Sequence, residues 1–361
     1  MISNLKQQHH DYHQYKIVTA LTNKNAYPHH VYLPKIKVHE THISWIFLTG
    51  LYAYKIKKEV KFGKILNFST LKPRRKFCEK EIEVNKPLCG NMYKEVVKLV
   101  SVDRDKERGG SNSSVKLTNL QYKGKPLEYA VKMLEIPQKL RMDNLITSSK
   151  VSLSTIDRLT RILVKFHLST ITNNKIKSYG QPRFIKKKID ENFETFGKLN
   201  TKMAVHKLSN IDNIHKKLIA FLKNNRTLFY QRIKQDKIRE IHGDLYLKNI
   251  FIVNDRRFYL YDRIEFNDTL RYADVIEDVA HLSMDLDYNK REDLRRRFVS
   301  QYIERSKDSS ARNLLYFFMC YKACIRAKVS LFRAKNETDN QKRKWFEEES
   351  KDFFELAESY L

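Results

Sequence analysis

The chain has 361 residues, of which 41% are hydrophobic and 12% aromatic, so it can fold as one large or two modest domains and is not intrinsically disordered. It contains no run of 18 apolar residues, and its first residues lack the apolar core of a secretory signal. No membrane span is therefore predicted, and we expect a cytoplasmic location. The net charge of +28 is compatible with nucleic acid or an anionic small molecule as a partner, but the dispersed lysines favour a mostly solvated basic surface.

The order of the hydrophobic patterns predicts an α+β protein in three parts. An N-terminal extension covers residues 1–34, a β-rich lobe with one helix covers 35–134, and a helical lobe covers 135–361. The β-rich lobe begins with three predicted strands, at 36–41, 45–49 and 52–60. In the third strand, the period of two places Ala53, Lys55 and Lys57 on one face.

A helix is predicted over residues 73–88, with an acidic residue inside its apolar stripe. The stripe consists of Phe77, Val84 and Leu88. Glu81 falls on the same face, and a carboxylate in an apolar stripe needs a partner. Glu79 is the second choice for that role, and an exposed acidic helix is the alternative interpretation.

Further strands are predicted at 96–102 and 129–134, and helices follow in the rest of the chain. Ser154 with Asp157, and Asp274 with Glu277, have the spacing of capping boxes. They predict that one helix begins at Ser154 and another at Asp274. Near the end of the chain, one helical segment carries Lys322, Arg326 and Lys328 beside apolar residues. These cations could bind an anionic acceptor, or they could be a solvated face.

The segment 241–266 predicts a β-hairpin with polar groups at its open end. Residues 250–253 and 258–261 are β-prone and flank the polar turn 254–257. If Val253 faces Phe258, the same antiparallel ladder places Asn249 opposite Asp262, with Cβ atoms about 5 Å apart. An amide oxygen and a carboxylate, both hard ligands, would suit Mg²⁺ that also binds phosphate oxygens.

The loop before the hairpin supplies a second acid. Asp244 follows His242 and Gly243 and precedes Asn249 by five residues. A carboxylate without a metal duty, next to a metal pair, is the layout that phosphoryl transfer requires, because it can accept the proton of the attacking hydroxyl.

This arrangement resembles the catalytic core of the aminoglycoside-phosphotransferase family, a small-molecule branch of the protein-kinase-like fold. The resemblance rests on His242-Gly243-Asp244, Asn249 and Asp262. It implies a bilobal fold that uses ATP and Mg²⁺, with Asp244 as the base and Asn249 and Asp262 as metal ligands. It also implies that the helix pattern Asp-x-x-x-Asp, here Asp274 and Asp278, holds the backbone of the loop 242–249.

Shorter matches extend the resemblance into the β-rich lobe. Ala53-Tyr54-Lys55 is similar to the third strand of kinases, where the alanine leaves space for adenine and the lysine, paired with Glu81, reaches the phosphates. Backbone groups of 132–135, a segment that includes Met133, would then bind adenine. The words ETHISW at 40–45, AYKIKK at 53–58 and FCEKE at 77–81 resemble a branch of uncharacterised bacterial and archaeal members.

Two departures from the family pattern concern the phosphates and the acceptor. The turn between the first two strands has no glycine-rich motif, so its amides and the Ser44 hydroxyl would have to meet the phosphates. Tyr246 and Lys248 stand where relatives usually have histidine and a small residue, which points to a different acceptor.

The sequence therefore predicts an ATP- and Mg²⁺-dependent phosphotransferase that acts on a hydroxyl of a small-molecule acceptor, with an anionic acceptor as one option. Two alternatives belong to other classes. One is a non-catalytic nucleotide-binding interaction module, and the other is a basic nucleic-acid-associated protein, although no nucleic-acid-binding motif occurs in the chain.

Overall fold

A computed structural model describes residues 14–63, 66–103, 113–199 and 202–361 of the chain. The chain divides into two compact units: Met1–Gln138 with Tyr259–Asn267, and Lys139–Phe258 with Asp268–Leu361. The division after Gln138 lies close to the boundary expected at residue 134. The return of Tyr259–Asn267 to the first unit has no local signal in the sequence, because it depends on long-range packing.

The first unit is built on an antiparallel sheet. Its elements are α1 (14–20), β1 (Lys37–Glu40), β2 (Ser44–Leu48), β3 (Tyr52–Lys57), β4 (Lys61–Phe62), β5 (Leu66–Asn67), α2 (Leu71–Cys89), β6 (Tyr93–Asp103), β7 (Ser113–Thr118) and β8 (Pro126–Leu134). Six strands pair in the order β1-β2-β3-β8-β6-β7, and β4 pairs with β5 separately. The predicted strands of this unit are all present, with ends that differ by a few residues.

Residues 17–31 of the predicted N-terminal extension are part of the core of the first unit. A single buried cluster joins residues of the extension to residues of the sheet, namely Ile17, Leu21, Tyr27, Val31, Phe47, Tyr54, Ile56, Val97 and Leu99. This packing explains why β3 is buried along nearly its whole length instead of alternating between core and solvent.

Helix α2 packs against β6 and β8 of the sheet through the stripe predicted from the sequence. Its buried residues include Cys78, Glu81, Val84, Asn85 and Leu88. Glu81 is fully buried, whereas the side chain of Glu79 is 48% exposed. The helix ends at Gly90, whose φ of +51° is a left-handed conformation that glycine adopts without steric cost.

The second unit is mainly helical. Its elements are α3 (Met142–Thr147), α4 (Leu153–Ser169), α5 (Asn174–Ser178), α6 (Pro182–Leu199), α7 (Lys202–Asn224), α8 (Arg226–Lys234), β9 (Ile238–Glu240), β10 (Ile250–Asn254), β11 (Arg257–Leu260), α9 (Asp268–Arg271), β12 (Tyr272–Asp274), α10 (Ile276–Tyr288), α11 (Glu292–Ser306), α12 (Arg312–Asn336) and α13 (Asn340–Glu358). Strand β9 pairs with β12, and β10 pairs with β11. The boundary between the two units falls inside β11, after Phe258. An α+β protein with a β-rich first unit and a helical second unit is confirmed.

Three local predictions need correction. The hairpin turn contains only Asp255 and Arg256, because β10 and β11 each extend one residue further than expected. The N-cap of α4 is Ser152, whose hydroxyl accepts a hydrogen bond from the Thr155 amide, and not Ser154. Asp274 ends β12, so α10 begins at Ile276. Within the described ranges, no helix is long and apolar enough to cross a bilayer.

Candidate functional site

In the first unit, Lys55 lies between two of the predicted site residues. Its Nζ atom is 2.9 Å from Oε1 of Glu81 and 2.6 Å from Oδ1 of Asp262. Lys55 and Glu81 are buried, whereas the Asp262 side chain is 42% exposed. A buried ammonium group is thus fixed by one buried carboxylate and directed toward a second one that reaches the surface.

The sequence interpretation missed two members of this cluster. Nζ of Lys57 is 2.8 Å from Oε2 of Glu81 and also pairs with Glu265. The alternation of β3 puts Lys55 and Lys57 on one face, so the second lysine had a signal in the sequence. Glu265 had none, because its pairing depends on the return of Tyr259–Asn267 to this unit.

The charges of the cluster do not balance. Three carboxylates face two ammonium groups, which leaves a surplus of negative charge. Burial alone would lower the pKa of Lys55, but Asp262, Glu81 and Glu265 outweigh it and hold that pKa well above its usual value. Burial likewise favours neutral Glu81, yet the two lysines lower its pKa. The surplus of negative charge acts on Glu265. Burial and the charge of Glu81 raise the pKa of Glu265 by more than the attraction of Lys57 lowers it.

The backbone of Asp262 is held in an uncommon conformation. Its φ is +63°, a left-handed value that costs a residue with a Cβ atom about 1–2 kcal/mol. The Asp262 amide donates to the Tyr93 hydroxyl at 3.2 Å, and the next amide, of Arg263, donates to Oδ1 of Asn85 at 2.9 Å. These bonds from β6 and α2 offset the strain and fix the direction of the Asp262 carboxylate.

The structure brings together two residues predicted to contact adenine. Ala53 of β3 and Met133 of β8 are direct cross-strand neighbours, and both are buried. The adjoining amides of Leu134 and Glu135 already donate to the carbonyls of Met92 and Leu51. The N–H groups of Leu134 and Glu135 belong to the backbone segment expected to bind adenine. They already form hydrogen bonds within the protein.

Ser44 differs from its expected setting. It is fully buried at the start of β2, and its hydroxyl has no hydrogen-bond partner among the described residues. Its amide donates to Oγ1 of Thr41 at 2.9 Å, and its carbonyl accepts from the Thr41 amide. A phosphate contact through the Ser44 hydroxyl would therefore require movement of this turn, and that role stays a prediction.

In the second unit, the loop over 242–249 is held by two aspartates of α10. Asp278 accepts from the amide of His242 at 2.7 Å and from the amide of Gly243 at 2.9 Å. Asp285, two helical turns further on, accepts from the Leu247 amide at 2.8 Å. Burial opposes the ionisation of Asp278, but the hydrogen bond from His167 and the nearby His242 lower its pKa to about 2.

The expected pair Asp274 and Asp278 is thus corrected at one position. Asp274 does not hold the loop, because it forms a buried ion pair with Arg232 of α8, with 2.5 Å between Nη2 and Oδ1. Asp285 takes the second loop contact instead. Its spacing of two turns from Asp278 on one helix was a signal in the sequence that we did not use.

Asp244 and Asn249 lie together within this loop. Nδ2 of Asn249 donates to the backbone carbonyl of Asp244 at 3.0 Å and to Oδ2 of its carboxylate at 3.3 Å. These bonds orient the Asn249 amide so that its oxygen, the atom that binds hard cations, is not the atom engaged with Asp244. Gly243 has a φ of +89°, so a residue with a Cβ atom would be strained there.

Asn249 and Asp262 fall into different compact units. Their pairing as metal ligands stays a prediction.

No protein-family model matches the chain. An uncharacterized protein of Mycobacterium tuberculosis (strain ATCC 25618 / H37Rv) and one of Mycobacterium bovis are each 30% identical to it over 300 residues. The match covers 83% of this chain and 55% of theirs, so the chain spans about half the length of the curated relatives it matches.

Several solved structures are similar to the chain. Plasmodium vivax ethanolamine kinase shares 12% identity at a TM-score of 0.49 and covers 90% of this chain and 84% of its own. A choline/ethanolamine kinase family protein from Mesorhizobium loti shares 11% identity at a TM-score of 0.49, and the match covers 95% of this chain and 98% of that protein. An ADP-bound aminoglycoside phosphotransferase, APH(2'')-Ib, shares 14% identity at a TM-score of 0.44, and the match covers 92% of this chain and 96% of that protein. None of these TM-scores reaches 0.5, so the proposal below rests on residues of this chain.

Proposed function

We propose that the chain is an ATP- and Mg²⁺-dependent phosphotransferase that transfers a γ-phosphoryl group to a hydroxyl of a small molecule. The observation that carries the proposal is the buried Lys55, held by Glu81 and directed at the partly exposed Asp262. A fixed ammonium group beside a carboxylate that a metal can reach is what nucleotide phosphates require.

The residues present fit the metal that this reaction uses. The cluster around Lys55 carries surplus negative charge, and a divalent cation at Asp262 would compensate for it. Asp262 and Asn249 would hold Mg²⁺ through a carboxylate oxygen and an amide oxygen, and phosphates and water would complete its coordination. When bound, the metal would neutralise charge on the phosphates.

The protein's own part in the reaction is positioning and proton transfer. Lys55 would donate hydrogen bonds to the phosphates. The acceptor oxygen would form a bond to the γ-phosphorus while the bond from that phosphorus to the bridging oxygen of ADP breaks, and its electron pair would remain on ADP. The hydroxyl proton would pass to the Asp244 carboxylate, whose side chain is 39% exposed and whose loop is fixed by Asp278 and Asp285.

The proposal is tested with the full chain, Mg²⁺ and ATP labelled at the γ-phosphate, incubated with a mixed pool of hydroxyl-bearing metabolites. We expect label to move from ATP to a metabolite with wild type and not with Asp244→Asn. The absence of Mg·ATP binding in calorimetry would contradict the proposal. Binding without transfer of the label to any acceptor or to water would instead identify a non-catalytic nucleotide-binding module.

A further inference from the structure

Arg326 of α12 is a buried cation that has no carboxylate partner among the described residues. It is 6% exposed, and its Nε atom has no hydrogen-bond partner in the part of the chain that the structure describes. No ion pair of Arg326 occurs there either; its guanidinium lies over the rings of Tyr246 and Phe353, at 4.5 Å and 5.6 Å from their centroids.

The other buried arginines of the described ranges have carboxylate or carbonyl partners, although Nε of Arg263, like that of Arg326, donates no hydrogen bond there. Arg74, Arg232, Arg271 and Arg295 each pair with a carboxylate, and Arg263 donates to the carbonyl of Val84. Contacts with aromatic faces attract a guanidinium, but they do not replace the directional acceptors it loses with its water shell. Arg326 therefore has unused capacity for an anion.

A second buried polar group, His281, lies against Tyr246 and close to the proposed base. His281 of α10 is 2% exposed, and neither ring nitrogen has a hydrogen-bond partner among the described residues. Its Nδ1 atom is 3.8 Å from Oδ1 of Asp244. Its ring stacks on Tyr246 at 5.5 Å, with an angle of 13° between the planes. Tyr246 thus contacts both His281 and Arg326, beside Asp244.

The nearby acids do not neutralise Arg326 directly. Asp285, Asp244 and Glu349 attract its positive charge, but no ion pair of Arg326 with any of them occurs among the described residues, and Asp285 and Glu349 are engaged elsewhere. Asp285 accepts from the Leu247 amide, and Glu349 accepts from the Ser330 hydroxyl. Lys248, which is half-buried, adds positive charge close to Arg326.

We propose that Arg326, with Tyr246 and His281, forms an anion-binding end of the acceptor site, so that the acceptor carries a carboxylate or phosphate in addition to the hydroxyl facing Asp244. This inference rests on the proposed function and deepens it by naming the substrate class. Guanidinium groups bind planar carboxylates and phosphates through paired N–H donors, which matches the unused donors of Arg326. His281 offers a further nitrogen to the bound molecule next to the Asp244 carboxylate.

The test measures the binding of inorganic phosphate and of D-glycerate to the nucleotide-free full chain by calorimetry. We expect Arg326→Gln to weaken the binding of both probes by about 10- to 100-fold. Arg326→Lys should recover part of the affinity, because it keeps the charge. Arg312→Gln is the matched control, since Arg312 is exposed on the same helix and the change in net charge is identical; it should bind as wild type does.

Two further variants separate this inference from the proposed function. Lys55→Ala should leave phosphate binding at Arg326 intact, which excludes the nucleotide site as its origin. Asp244→Asn should abolish phosphoryl transfer while keeping or tightening phosphate binding, because a nearby negative charge is removed. If wild type transfers no phosphate but Arg326→Gln loses phosphate binding, the proposed function fails and the anion site stands.

Three results would overturn the anion site. Arg326→Gln could bind both probes as tightly as wild type does. It could lower the melting temperature without altering phosphate binding, which would mark Arg326 as a purely structural contact of Tyr246. Transfer of label to neutral glycerol at equal rates in wild type and Arg326→Gln would refute an anionic acceptor while leaving the kinase activity in place.

Discussion

Oε2 of Glu81 accepts a hydrogen bond from Nζ of Lys57 at 2.8 Å, while the other oxygen of the same carboxylate accepts from Lys55. Both oxygens of Glu81 are therefore used by ammonium groups. This makes Glu81 the centre of a buried ion cluster and more than the partner of Lys55 alone. Removing its charge is costly, because each lysine then keeps a single carboxylate partner, Asp262 or Glu265, and the buried ammonium groups lose an acceptor without gaining water.

The first prediction concerns the stability of this cluster. Glu81→Gln replaces an acceptor of two ammonium groups by an amide that can accept at only one end, so we expect a loss of about 1–3 kcal/mol in the free energy of unfolding. Urea denaturation followed by circular dichroism measures it. Glu79→Gln on the same helix is the control. It removes an exposed pair with Arg75 and should change the free energy of unfolding by less than about 0.5 kcal/mol. Equal losses in both variants would contradict the central role of Glu81.

The second prediction separates the two lysines. Lys55→Met should weaken Mg·ATP binding by about 10- to 100-fold, because a charged donor to the phosphates is lost. Its effect on stability should be smaller than that of Lys57→Met, since Lys55→Met takes a lysine only from the partly exposed Asp262, whereas Lys57→Met takes one from the buried Glu265. Lys57 is fully buried, so Lys57→Met should mainly destabilise the fold. Calorimetry with Mg·ATP and thermal unfolding of both variants decide this. Normal ATP affinity in folded Lys55→Met would refute the assigned role.

The third prediction separates the proposed roles of Asp244 and Asp262. Asp262→Ala removes the proposed charged ligand of the metal and should abolish Mg²⁺-dependent nucleotide binding and turnover together. Asp244→Ala removes the proposed proton acceptor, so it should leave Mg·ATP affinity close to wild type and slow transfer by about 10²- to 10⁴-fold. Single-turnover rates beside calorimetric binding measure both effects. If Asp244→Ala loses Mg·ATP binding as fully as Asp262→Ala, this division of roles is wrong.

The fourth prediction concerns pH. Burial and the charges of Lys322 and Arg326 hold the pKa of His281 well below its usual value of about 6.5. A histidine whose pKa is lowered by folding is neutral in the native state. Its contribution to stability is therefore complete above pH 6.5 and is lost as the pH falls below that value, by at most about 1.4 kcal/mol per pH unit.

The variant His281→Phe should show a flatter dependence of the free energy of unfolding on pH between 7 and 5, because it keeps a ring on Tyr246 but cannot bind a proton. Urea denaturation at a series of pH values gives the comparison. His39→Gln, which alters an exposed histidine of β1, is the control. Parallel curves for wild type and His281→Phe would contradict the prediction.

The fifth prediction concerns the basic surface. The lysines are dispersed along the chain, so we expect duplex and single-stranded nucleic acid to bind no more tightly than about 10⁻⁴ to 10⁻⁶ M at physiological salt. Fluorescence anisotropy across a salt series measures this. Tighter, sequence-selective binding would support the nucleic-acid alternative.

Periodicity predicted the parts of the site that depend on one element at a time. The alternation of β3 put Lys55 and Lys57 on one face, and the helical phase of α2 placed Glu81 inside the protein. Contacts between distant segments had no such signal. The pairing of Lys57 with Glu265 and that of Arg232 with Asp274 join residues whose meeting depends on the path of the whole chain. The burial of Ser44 likewise comes from tertiary packing, which a local pattern does not encode.

Local sequence patterns also did not predict the helix cap of α4 or the hydrogen-bond partners of the backbone at 134–135. Ser152 and Ser154 are both plausible N-caps, and the choice between them depends on where the chain enters α4. The amides of Leu134 and Glu135 are used by Met92 and Leu51, residues far away in sequence.

The first compact unit is not one continuous stretch of the chain, because Tyr259–Asn267 belongs to it. A gene fragment that ends at Gln138 would encode both buried lysines and Glu81 but would omit Asp262 and Glu265. Two cations would then face a single acid in the interior, reversing the sign of the charge imbalance. The first unit is therefore not encoded by the N-terminal stretch alone. A recombinant version would need residues 259–267 supplied as well, either joined through a linker or added as a peptide.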